Sequence, residues 1–381
     1  MKTVRVLIAA GGTGGHIYPG LTIAEELKRR FCQVEIVFVG TEYGLEKDII
    51  PRAGYPLELI SVQYFRRALS LESIKTGIVA LRGLRQSFAL IREFEPDIVV
   101  GTGGYVAGPL LLAAALRKVP TLIQEQNALP GVTNRILGRF AQCIALGYQE
   151  ASRYFPQNRV IVTGNPIRRE ITSIKRAEAL ERLQLDPARR TIIVFGGSQG
   201  GLSINRAMRE LAPRFNQLDS LQVIHQTGKR SYEDMAKEVL GRTGVSVSNQ
   251  LPEMAVDGCI RMVPYIYDMP AALAAADLVV GRAGALSLAE ITARGLPAIL
   301  IPFPYAAENH QEKNARVLER AGAARVLLDA DVDADSLGDL ILSLLDNPRQ
   351  LKSMAVASRS LGRVDATRAI VDQIEALTAP M

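Results

Sequence analysis

The chain has 381 residues, more than a single hydrophobic core usually serves, so its length predicts two domains. Hydrophobic residues make up 48% and charged residues 22%, a composition that excludes a largely disordered protein and a membrane-embedded one. The net charge of +6 suits an anionic membrane surface, a phosphate-bearing substrate or nucleic acid. The sequence has no zinc finger, no basic segment interleaved with aromatic residues and no RNA-binding repeat, so no nucleic-acid partner is expected.

The cysteines and the apolar segments bear on where the protein works. Cys32, Cys143 and Cys259 lie far apart without CxxC spacing, which argues against a disulfide framework and a cysteine zinc site and indicates a reducing compartment. The apolar run at residues 6–10 is too short for a signal-peptide core, and the stretch at about 106–116 is too short to span a bilayer. We therefore expect a cytoplasmic protein whose membrane contact is peripheral.

Short apolar strands alternate with longer helical stretches in two series along the chain. The strands predicted in the first series are Val4–Ala10, Val34–Val39, Ile98–Val100, Pro120–Ile123, Cys143–Ala145 and Val160–Val162. Those predicted in the second series are Thr191–Phe195, Val223–His225, Ile260–Val263, Leu278–Val280 and Ala298–Ile301. Such alternation is typical of parallel sheets with helices on both faces, so two doubly wound α/β domains are predicted. The segment Gly164–Glu170, which contains Pro166, is the predicted linker between them.

Each series opens with a strand that runs into a glycine cluster and then a helix. The clusters are GGTGGH at residues 11–16 and GGSQGG at residues 196–201. Glycine lets the backbone approach a ligand and a helix N-terminus favours an anion, so both loops are candidates for diphosphate binding, with a tight turn as the alternative. Neither loop matches the dinucleotide fingerprint or the P-loop, which disfavours nicotinamide and flavin enzymes and nucleoside-triphosphate hydrolases.

Seven segments, in order over nearly the whole chain, carry a more specific resemblance. They are GGTGGHIYPG (11–20), GTGGYVAGP (101–109), QEQNALPGVTNR (124–135), GNPIR (164–168), GGSQGG (196–201), HQTGK (225–229) and GALSLAEITARGLPAILIPFP (284–304). Together these segments resemble the MurG family, the UDP-N-acetylglucosamine:lipid I N-acetylglucosaminyltransferases of bacterial peptidoglycan synthesis.

The resemblance implies the GT-B architecture, in which two Rossmann-like domains face each other across a cleft. It implies an acceptor- and membrane-facing domain at residues 1–165, on which a C-terminal helix at 363–381 packs, and a domain at 166–362 that binds the UDP-sugar donor. The implied reaction is inverting transfer of N-acetylglucosamine from UDP-N-acetylglucosamine to the C4 hydroxyl of lipid I, giving lipid II and UDP. The enzyme would act peripherally at the cytoplasmic face of the plasma membrane.

The resemblance also assigns substrate contacts, most of them in the second half of the chain. Glu290 is expected to accept the ribose hydroxyls, a role that suits a carboxylate, and the backbone of Ile266 is expected to meet the uracil. The implied diphosphate contacts are Thr13, Gly14, Gly15 and Ser198, and the implied N-acetylglucosamine contacts are Ala285, Leu286 and Gln311. Asn127 belongs to the EQN motif, and Arg168 has two possible roles, a phosphate contact or a surface salt bridge.

The implied reaction needs a base for the acceptor hydroxyl. His16 is the first candidate, because it directly follows the glycine loop and imidazole titrates near neutral pH. The alternative for His16 is a residue that only hydrogen-bonds phosphate. Glu125 is the second candidate base, with a structural role as its alternative.

Three positions depart from the family pattern. Gln124 stands where histidine often precedes EQN, Ala283 where serine is common, and His310 where glutamine often precedes Gln311. These differences concern single contacts and leave the resemblance intact.

Alternating aspartates from Asp329 to Asp335 suggest a cation site at first sight. A calcium loop needs glycine at its sixth position and glutamate at its twelfth, where this chain has Ala334 and Leu340. A solvated loop in which Asp335 caps the next helix is therefore expected. Neither a protein-bound metal nor another cofactor is expected.

The segment at residues 63–94 is the predicted membrane contact. The apolar residues at 71, 74, 78, 81, 84, 88 and 91 recur at helical spacing and are assigned to the core face of a helix. The loop Tyr64–Leu69 and the neighbouring cations, including Lys75, Arg82 and Arg85, are assigned to an anionic membrane surface.

Three other functions share features of this sequence. Another GT-B lipid glycosyltransferase would use the same donor site, a UDP-N-acetylglucosamine epimerase would use the same fold, and a nucleotide-sugar-binding protein would need no catalytic base.

Overall fold

The structure is a computed structural model of the chain, and it describes residues 3–62, 71–197, 200–243 and 255–379. The described residues form two seven-stranded sheets. The strands are β1 (Val4–Ala10), β2 (Val34–Gly40), β3 (Leu57–Leu59), β4 (Ile98–Gly103), β5 (Thr121–Glu125), β6 (Cys143–Leu146), β7 (Val160–Val162), β8 (Arg190–Phe195), β9 (Leu221–Gln226), β10 (Ala255–Asp257), β11 (Ile260–Val263), β12 (Leu278–Gly281), β13 (Ala298–Leu300) and β14 (Ala324–Val326).

Helices connect most of these strands. They are α1 (Gly14–Arg30), α2 (Glu46–Arg52), α3 (Leu71–Phe94), α4 (Ala107–Leu116), α5 (Val132–Leu137), α6 (Glu170–Ser173), α7 (Arg176–Arg182), α8 (Leu202–Phe215), α9 (Lys229–Thr243), α10 (Met269–Ala275), α11 (Ala285–Arg294), α12 (His310–Arg320), α13 (Ala334–Leu345), α14 (Pro348–Leu361) and α15 (Ala366–Thr378). Short 3-10 helices cover Gln149–Tyr154, Gln157–Arg159, Ala307–Asn309 and Asp329–Asp331.

The chain divides into two compact units. The N-terminal unit comprises Met1–Ile167 and Arg363–Met381, and the C-terminal unit comprises Arg168–Gly362. The last helix, α15, therefore belongs to the N-terminal unit. There Ile370, Val371 and Ile374 are fully buried in the same core cluster as the apolar face of α1.

The N-terminal unit is built on a parallel sheet in the order β3-β2-β1-β4-β5-β6-β7. Its central strands are continuous apolar runs because helices cover both faces. Alternate residues of β1 point to opposite faces of the sheet. Val6, Ile8 and Ala10 pack in the core cluster that contains α1 and α15, and Leu7 and Ala9 pack in the cluster that contains α3 and α4.

The C-terminal unit repeats this plan in the order β10-β11-β9-β8-β12-β13-β14. Six of its strands are parallel, and the edge strand β10 runs antiparallel to β11. Its main core joins β8, β9 and β12 to α8 and α13, with Phe215 and Leu337 fully buried.

The structure confirms the predicted pair of Rossmann-like α/β domains, and every predicted strand is present. The sequence prediction missed β3, β10 and β14, which have three residues each and lie at or next to the sheet edges. Purely parallel sheets were also expected, and the antiparallel β10 corrects that for the second one.

Two finer predictions were wrong. Asp333, not Asp335, caps α13: its carboxylate accepts a hydrogen bond from the Ser336 N–H at 2.7 Å, and Ser336 Oγ accepts one from the Asp333 N–H at 3.1 Å. Asp335 lies one residue inside the helix, where its charge still suits the positive helix end. Leu81 was assigned to the core face of α3 but is 61% exposed, whereas Ile91 on the same face is buried.

Candidate functional site

The strand order of each sheet indicates where a ligand binds. In the N-terminal unit the order reverses between β1 and β4, and in the C-terminal unit it reverses between β8 and β12. In open parallel sheets, ligands bind outside the carboxyl ends of the strands at such a switch point. Both glycine clusters identified in the sequence follow one of these strands, since Gly11 comes after β1 and Gly196 after β8.

His16 lies in the first turn of α1, at the switch point of the N-terminal unit. Its ring Nδ1 is 3.1 Å from the Gly11 carbonyl oxygen, and its ring lies against Gly103, where a Cβ atom would meet the imidazole. Because a carbonyl oxygen only accepts, Nδ1 carries the proton and donates it to Gly11. In the neutral ring the lone pair is therefore on Nε2, the state that a general base requires.

The same helix start supplies backbone donors. Thr13 precedes the helix in an extended conformation, and Gly14 and Gly15 are its first two residues. The first N–H groups of an α-helix have no intrahelical acceptor, so this turn suits an anion or a polar oxygen. Thr13, Gly14 and Gly15 thus lie at the start of α1, next to His16, and their contact with the donor diphosphate stays a prediction.

Glu125 ends strand β5 and is 1% exposed. Its carboxylate accepts hydrogen bonds from the N–H groups of Asn127 at 2.9 Å and Gly131 at 3.2 Å, and from the side-chain amides of Asn134 at 2.8 Å and Asn127 at 3.3 Å. Burial raises the pKa of Glu125, and these four donors oppose that rise. The geometry favours the structural role for Glu125, because the carboxylate holds the loop that carries Asn127.

Gln124, where the family often has histidine, is fully buried in a network of amides. Its Nε2 donates to Asn165 Oδ1 at 3.0 Å, and Asn165 Nδ2 donates to the Gln126 carbonyl at 2.9 Å. Gln126 in turn donates to the Thr102 carbonyl at 2.6 Å. Gln124 therefore links the end of β5 to the GNPIR segment.

In the C-terminal unit the second glycine cluster runs from β8 into α8. Gly197 and Gly200 have φ of +88° and +82°, and a side chain at Gly200 would overlap the carbonyl of Thr227. The predicted diphosphate contact Ser198 lies outside the described residues. Gly201 caps α8, so the N-terminal N–H groups of this helix open at the switch point.

Arg282 is a buried cation beside this cluster that the sequence analysis missed. It follows β12, is 8% exposed, and would have its Nη2 3.2 Å from a Cβ placed on Gly201. Its Nη1 donates to the carbonyls of Ile301 and Pro302 at 3.2 Å each and to Asp329 at 2.5 Å. Asp329, one of the alternating aspartates, thus forms an ion pair with Arg282.

Ile266 and Gln226 form a second polar contact near the same cluster. The Ile266 N–H donates to Gln226 Oε1 at 2.9 Å, and Gln226 Nε2 donates to the Gly197 carbonyl at 2.8 Å. A uracil that reads the Ile266 backbone must therefore displace Gln226 or use the Ile266 carbonyl. Gln226 was also missed, although it lies in the quoted HQTGK segment at the end of β9.

Gln311 bridges the loops that follow β12 and β13. Its Oε1 accepts from the Ala283 N–H at 3.2 Å and the Phe303 N–H at 3.0 Å. Because both partners are N–H donors, the atom that they contact is the amide oxygen, and the NH₂ group is the part of the side chain able to donate to a ligand. Ala285 and Leu286, at the start of α11, follow the same loop as Ala283.

Glu290 and Arg168 lie together in the C-terminal unit. Arg168 Nη2 is 3.2 Å from Glu290 Oε1, and the side chains are 39% and 16% exposed. Burial raises the pKa of Glu290, and the charge of Arg168 lowers it again. Of the two roles left open for Arg168, the structure shows the ion pair, with the partner expected to bind the ribose.

Within the described ranges, no group of three or more His, Cys, Asp or Glu side chains is arranged to hold a metal ion. Across those same ranges, no helix is both long and apolar enough to cross a bilayer.

The chain matches two domain families and a set of full-length relatives. The Glycosyltransferase family 28 N-terminal domain matches residues 6–146, and the Glycosyltransferase family 28 C-terminal domain matches residues 191–370. The chain is 46% identical over 373 residues to a Desulforamulus reducens protein named UDP-N-acetylglucosamine--N-acetylmuramyl-(pentapeptide) pyrophosphoryl-undecaprenol N-acetylglucosamine transferase, with 98% of each chain covered.

Solved structures give the same grouping. The crystal structure of Acinetobacter baumannii MurG matches with a TM-score of 0.75 at 29% identity, covering 98% of this chain and 99% of that one. A UDP-GlcNAc 2-epimerase from Neisseria meningitidis matches with a TM-score of 0.65 at 14% identity, covering 98% and 100% of the two chains. The second similarity concerns the fold alone, so the epimerase alternative is the less supported one.

Proposed function

The chain belongs to the MurG family within glycosyltransferase family 28, and we propose that it transfers N-acetylglucosamine from UDP-N-acetylglucosamine to the C4 hydroxyl of lipid I. The products are lipid II and UDP, and the sugar inverts at its anomeric carbon. The observation that carries this function is the 46% identity, over 98% of both chains, to a relative whose name states that transfer.

We assign the donor to the C-terminal unit. The N–H groups at the start of α8 favour an anion at the glycine cluster, which suits the diphosphate of the donor, and the Arg282 guanidinium, paired with Asp329, lies beside that cluster. Glu290, which Arg168 helps keep ionised, would accept the two ribose hydroxyls. The NH₂ group of Gln311 would donate to a hydroxyl or the acetamido oxygen of N-acetylglucosamine.

We assign the base to His16 of the N-terminal unit. In the transfer step, Nε2 of His16 takes the proton of the acceptor C4 hydroxyl as that oxygen bonds to the anomeric carbon of the sugar. The bond between this carbon and the β-phosphate oxygen breaks, and UDP leaves with the electron pair. Thr13, Gly14, Gly15 and Asn127 would position the substrates around this step. The fixed Nδ1–H tautomer is the feature that supports His16 over Glu125.

A membrane face on the N-terminal unit would give access to the lipid-linked acceptor at the cytoplasmic side. The loop Tyr64–Leu69, to which the sequence analysis assigned this contact, lies outside the described residues. Described helices of the same unit supply exposed apolar residues, namely Leu81 of α3, Leu116 of α4, Ile136 of α5 and Phe140 just after α5, which are 50–62% exposed.

Basic side chains accompany these apolar residues. Arg82 and Arg85 lie exposed on α3, Arg117 and Lys118 follow α4, and Arg139 follows α5. The guanidinium of Arg117 lies 5.7 Å from the ring of Phe88 on α3, which brings the end of α4 against that helix. Exposed apolar residues among cations are what a surface needs to bind an anionic leaflet. We call Leu81, Leu116, Ile136 and Phe140 with these cations the basic apolar face.

An acceptor assay tests the proposed function. The enzyme is incubated with UDP-N-acetylglucosamine and lipid I, and in parallel with the donor alone. We expect the disaccharide lipid and stoichiometric UDP only when lipid I is present. UDP-N-acetylmannosamine from the donor alone would indicate an epimerase, and transfer to diacylglycerol in place of lipid I would indicate another lipid glycosyltransferase.

A further inference from the structure

We propose that Glu46 is a positioning residue that sets the tautomer and basicity of His16 through the peptide group between Gly11 and Gly12. This inference rests on the proposed role of His16 as the base. Glu46 is the first residue of α2 and was not among the residues singled out in the sequence.

Glu46 is a carboxylate enclosed at the carboxyl end of the sheet. It is fully buried, and its Oε1 accepts from the N–H and the hydroxyl of Thr41 at 2.9 and 2.7 Å. Three glycines make room for it, because a Cβ atom on Gly11, Gly40 or Gly44 would overlap the Glu46 side chain. A buried carboxyl group needs such partners, and this one has its third hydrogen bond in the glycine loop.

The hydrogen bond to the glycine loop connects Glu46 to the His16 imidazole through the peptide group between Gly11 and Gly12. Glu46 Oε2 accepts from the Gly12 N–H at 2.8 Å. The carbonyl of the same peptide group, that of Gly11, accepts from His16 Nδ1 at 3.1 Å. Gly104 packs against this peptide from the β4 loop, and a side chain there would overlap the Gly11 carbonyl.

A chain of hydrogen bonds polarises its members. The carboxylate draws the Gly12 N–H and leaves more negative charge on the Gly11 oxygen, which strengthens the bond from Nδ1–H. The neutral ring is thereby held in one tautomer, with its lone pair on Nε2, and the imidazolium that forms during transfer is stabilised. Glu46 never touches the substrate in this scheme.

Few other ionisable groups border the same loop among the described residues. The Tyr18 ring lies against Gly14, Tyr105 follows Gly104 in sequence, and Glu125 at the end of β5 is occupied by its own four donors. Of these groups, Glu46 is the one whose connection to the imidazole can be traced through described hydrogen bonds.

The first test reads the ring directly. The chain has three histidines, so ¹⁵N spectra can be assigned with His225→Gln and His310→Gln variants. In the wild-type protein we expect His16 with its proton on Nδ1. We expect Glu46→Gln to move the His16 titration midpoint to lower pH, because the variant loses the negative charge that favours the imidazolium. A wild-type ring protonated on Nε2 overturns the inference, even if the variant does not fold.

The second test is a double-mutant cycle on transfer. Glu46→Gln should lower kcat about tenfold in the wild-type background, with the KM for donor unchanged. In the His16→Ala background the same change should lower kcat less than about twofold, because the residue that it acts through is gone. Equal losses in both backgrounds would mean that Glu46 only stabilises the fold.

Thr41→Val is the matched control. It removes one donor to the same carboxylate but leaves the Gly12 and Gly11 bonds in place. We expect a lower unfolding temperature with the His16 titration midpoint retained. A shift of this midpoint as large as that in Glu46→Gln would contradict the link through the peptide group.

Failure of the proposed function can be told apart from failure of this inference. If the wild-type enzyme forms no lipid II, the proposed function fails, while the ¹⁵N test of the link through the peptide group still stands on its own.

Discussion

At the scale of single residues, burial and partners separate three glutamates that the sequence alone makes look alike. Glu125 is held by four donors of its own loop, and Glu46 ties the glycine loop to the loop after β2. Glu290 has one described partner side chain, Arg168, so it is the carboxylate best placed to exchange a protein contact for ligand hydroxyls. Donor binding should therefore depend on Glu290 more than on the other two.

Glu290→Ala should weaken binding of UDP-N-acetylglucosamine by about 1 to 3 kcal/mol, because two ribose hydroxyls lose their acceptor in a partly desolvated site. Titration calorimetry measures the change. Glu178→Ala, at a side chain of α7 in the same unit that is 46% exposed, is the control and should leave the affinity unchanged. Unaltered affinity in Glu290→Ala would remove this residue from the donor site.

Arg168→Ala should make donor affinity depend on pH. Burial raises the pKa of Glu290 and Arg168 opposes that rise, so removing the cation raises the pKa of this carboxyl further. As pH falls, the protonated carboxyl loses acceptor capacity and binding should weaken more steeply than in the wild type. Calorimetric Kd values over a pH series measure this, and parallel curves for the two proteins would count against it.

His16→Ala should lower kcat about 100-fold or more while donor affinity stays nearly unchanged, if the residue takes the acceptor proton. Steady-state kinetics with lipid I and calorimetry with the donor give the two readouts. The opposite pattern, weak donor binding with normal turnover at saturation, would assign His16 to phosphate contact instead.

Some residues of the site could be read from the sequence and others could not. His16 ends the first glycine cluster and Gln311 was assigned through the resemblance; the structure gives the hydrogen bonds of both side chains, and their roles toward a substrate stay predictions. Arg282 stands in the GRAG segment, yet its burial beside Gly201 depends on strands that are adjacent only in the folded sheet. Glu46 is harder still, because its partners Gly12 and Thr41 come from two different loops.

At the scale of elements, the buried pair of His225 on β9 and Asn205 on α8 fixes the helix that follows the second glycine cluster. His225 Nε2 lies 3.0 Å from Asn205 Oδ1, and Asn205 Nδ2 donates to the Thr227 carbonyl at 2.8 Å. Asn205 Oδ1 only accepts, so Nε2 of the neutral ring is the donor. Burial lowers the pKa of His225 from 6.5 to about 4.

This pair should make the folded state lose stability on acidification. Between pH 6.5 and about 4 the unfolded chain takes up a proton at His225 that the folded chain does not, so stability falls as pH falls through this window. The shift corresponds to about 3 kcal/mol at the acid end of the window. His225→Gln keeps a donor for Asn205 but does not titrate. Its unfolding temperature should fall less than that of the wild type between pH 7 and 4, and identical pH slopes would contradict the assignment.

Elements were more predictable than their caps and edges. Strands such as β1 and β8 are apolar runs because helices cover both faces, and such runs are visible in the sequence. The three-residue strands β3 and β14 owe their pairing to neighbours and carry no comparable pattern. The α13 cap was misplaced by two residues because alternating aspartates offer several candidates, and only backbone geometry selects Asp333.

At the scale of the whole molecule, the proposed acceptor is a membrane lipid, so the proposed function calls for a protein surface that contacts the bilayer. We propose the basic apolar face of the N-terminal unit for this contact. Helix α3 contributes to this face through Leu81. The helical spacing assigned Leu81 to the core, but the side chain is 61% exposed and has exposed arginines next to it in sequence.

Replacing Leu81 and Phe140 together with serine should reduce sedimentation with vesicles that contain anionic lipid and raise the apparent KM for lipid I. Each arginine or lysine near the leaflet contributes about 1 kcal/mol and is screened by salt, so wild-type binding should also weaken as ionic strength rises. Donor affinity should not change, because the donor is assigned to the other unit. Val356→Ser is the control, since Val356 is 64% exposed on α14 of the C-terminal unit. If the double variant binds vesicles as the wild type does while its unfolding temperature drops, Leu81 and Phe140 stabilise the fold and the membrane contact lies elsewhere on the protein.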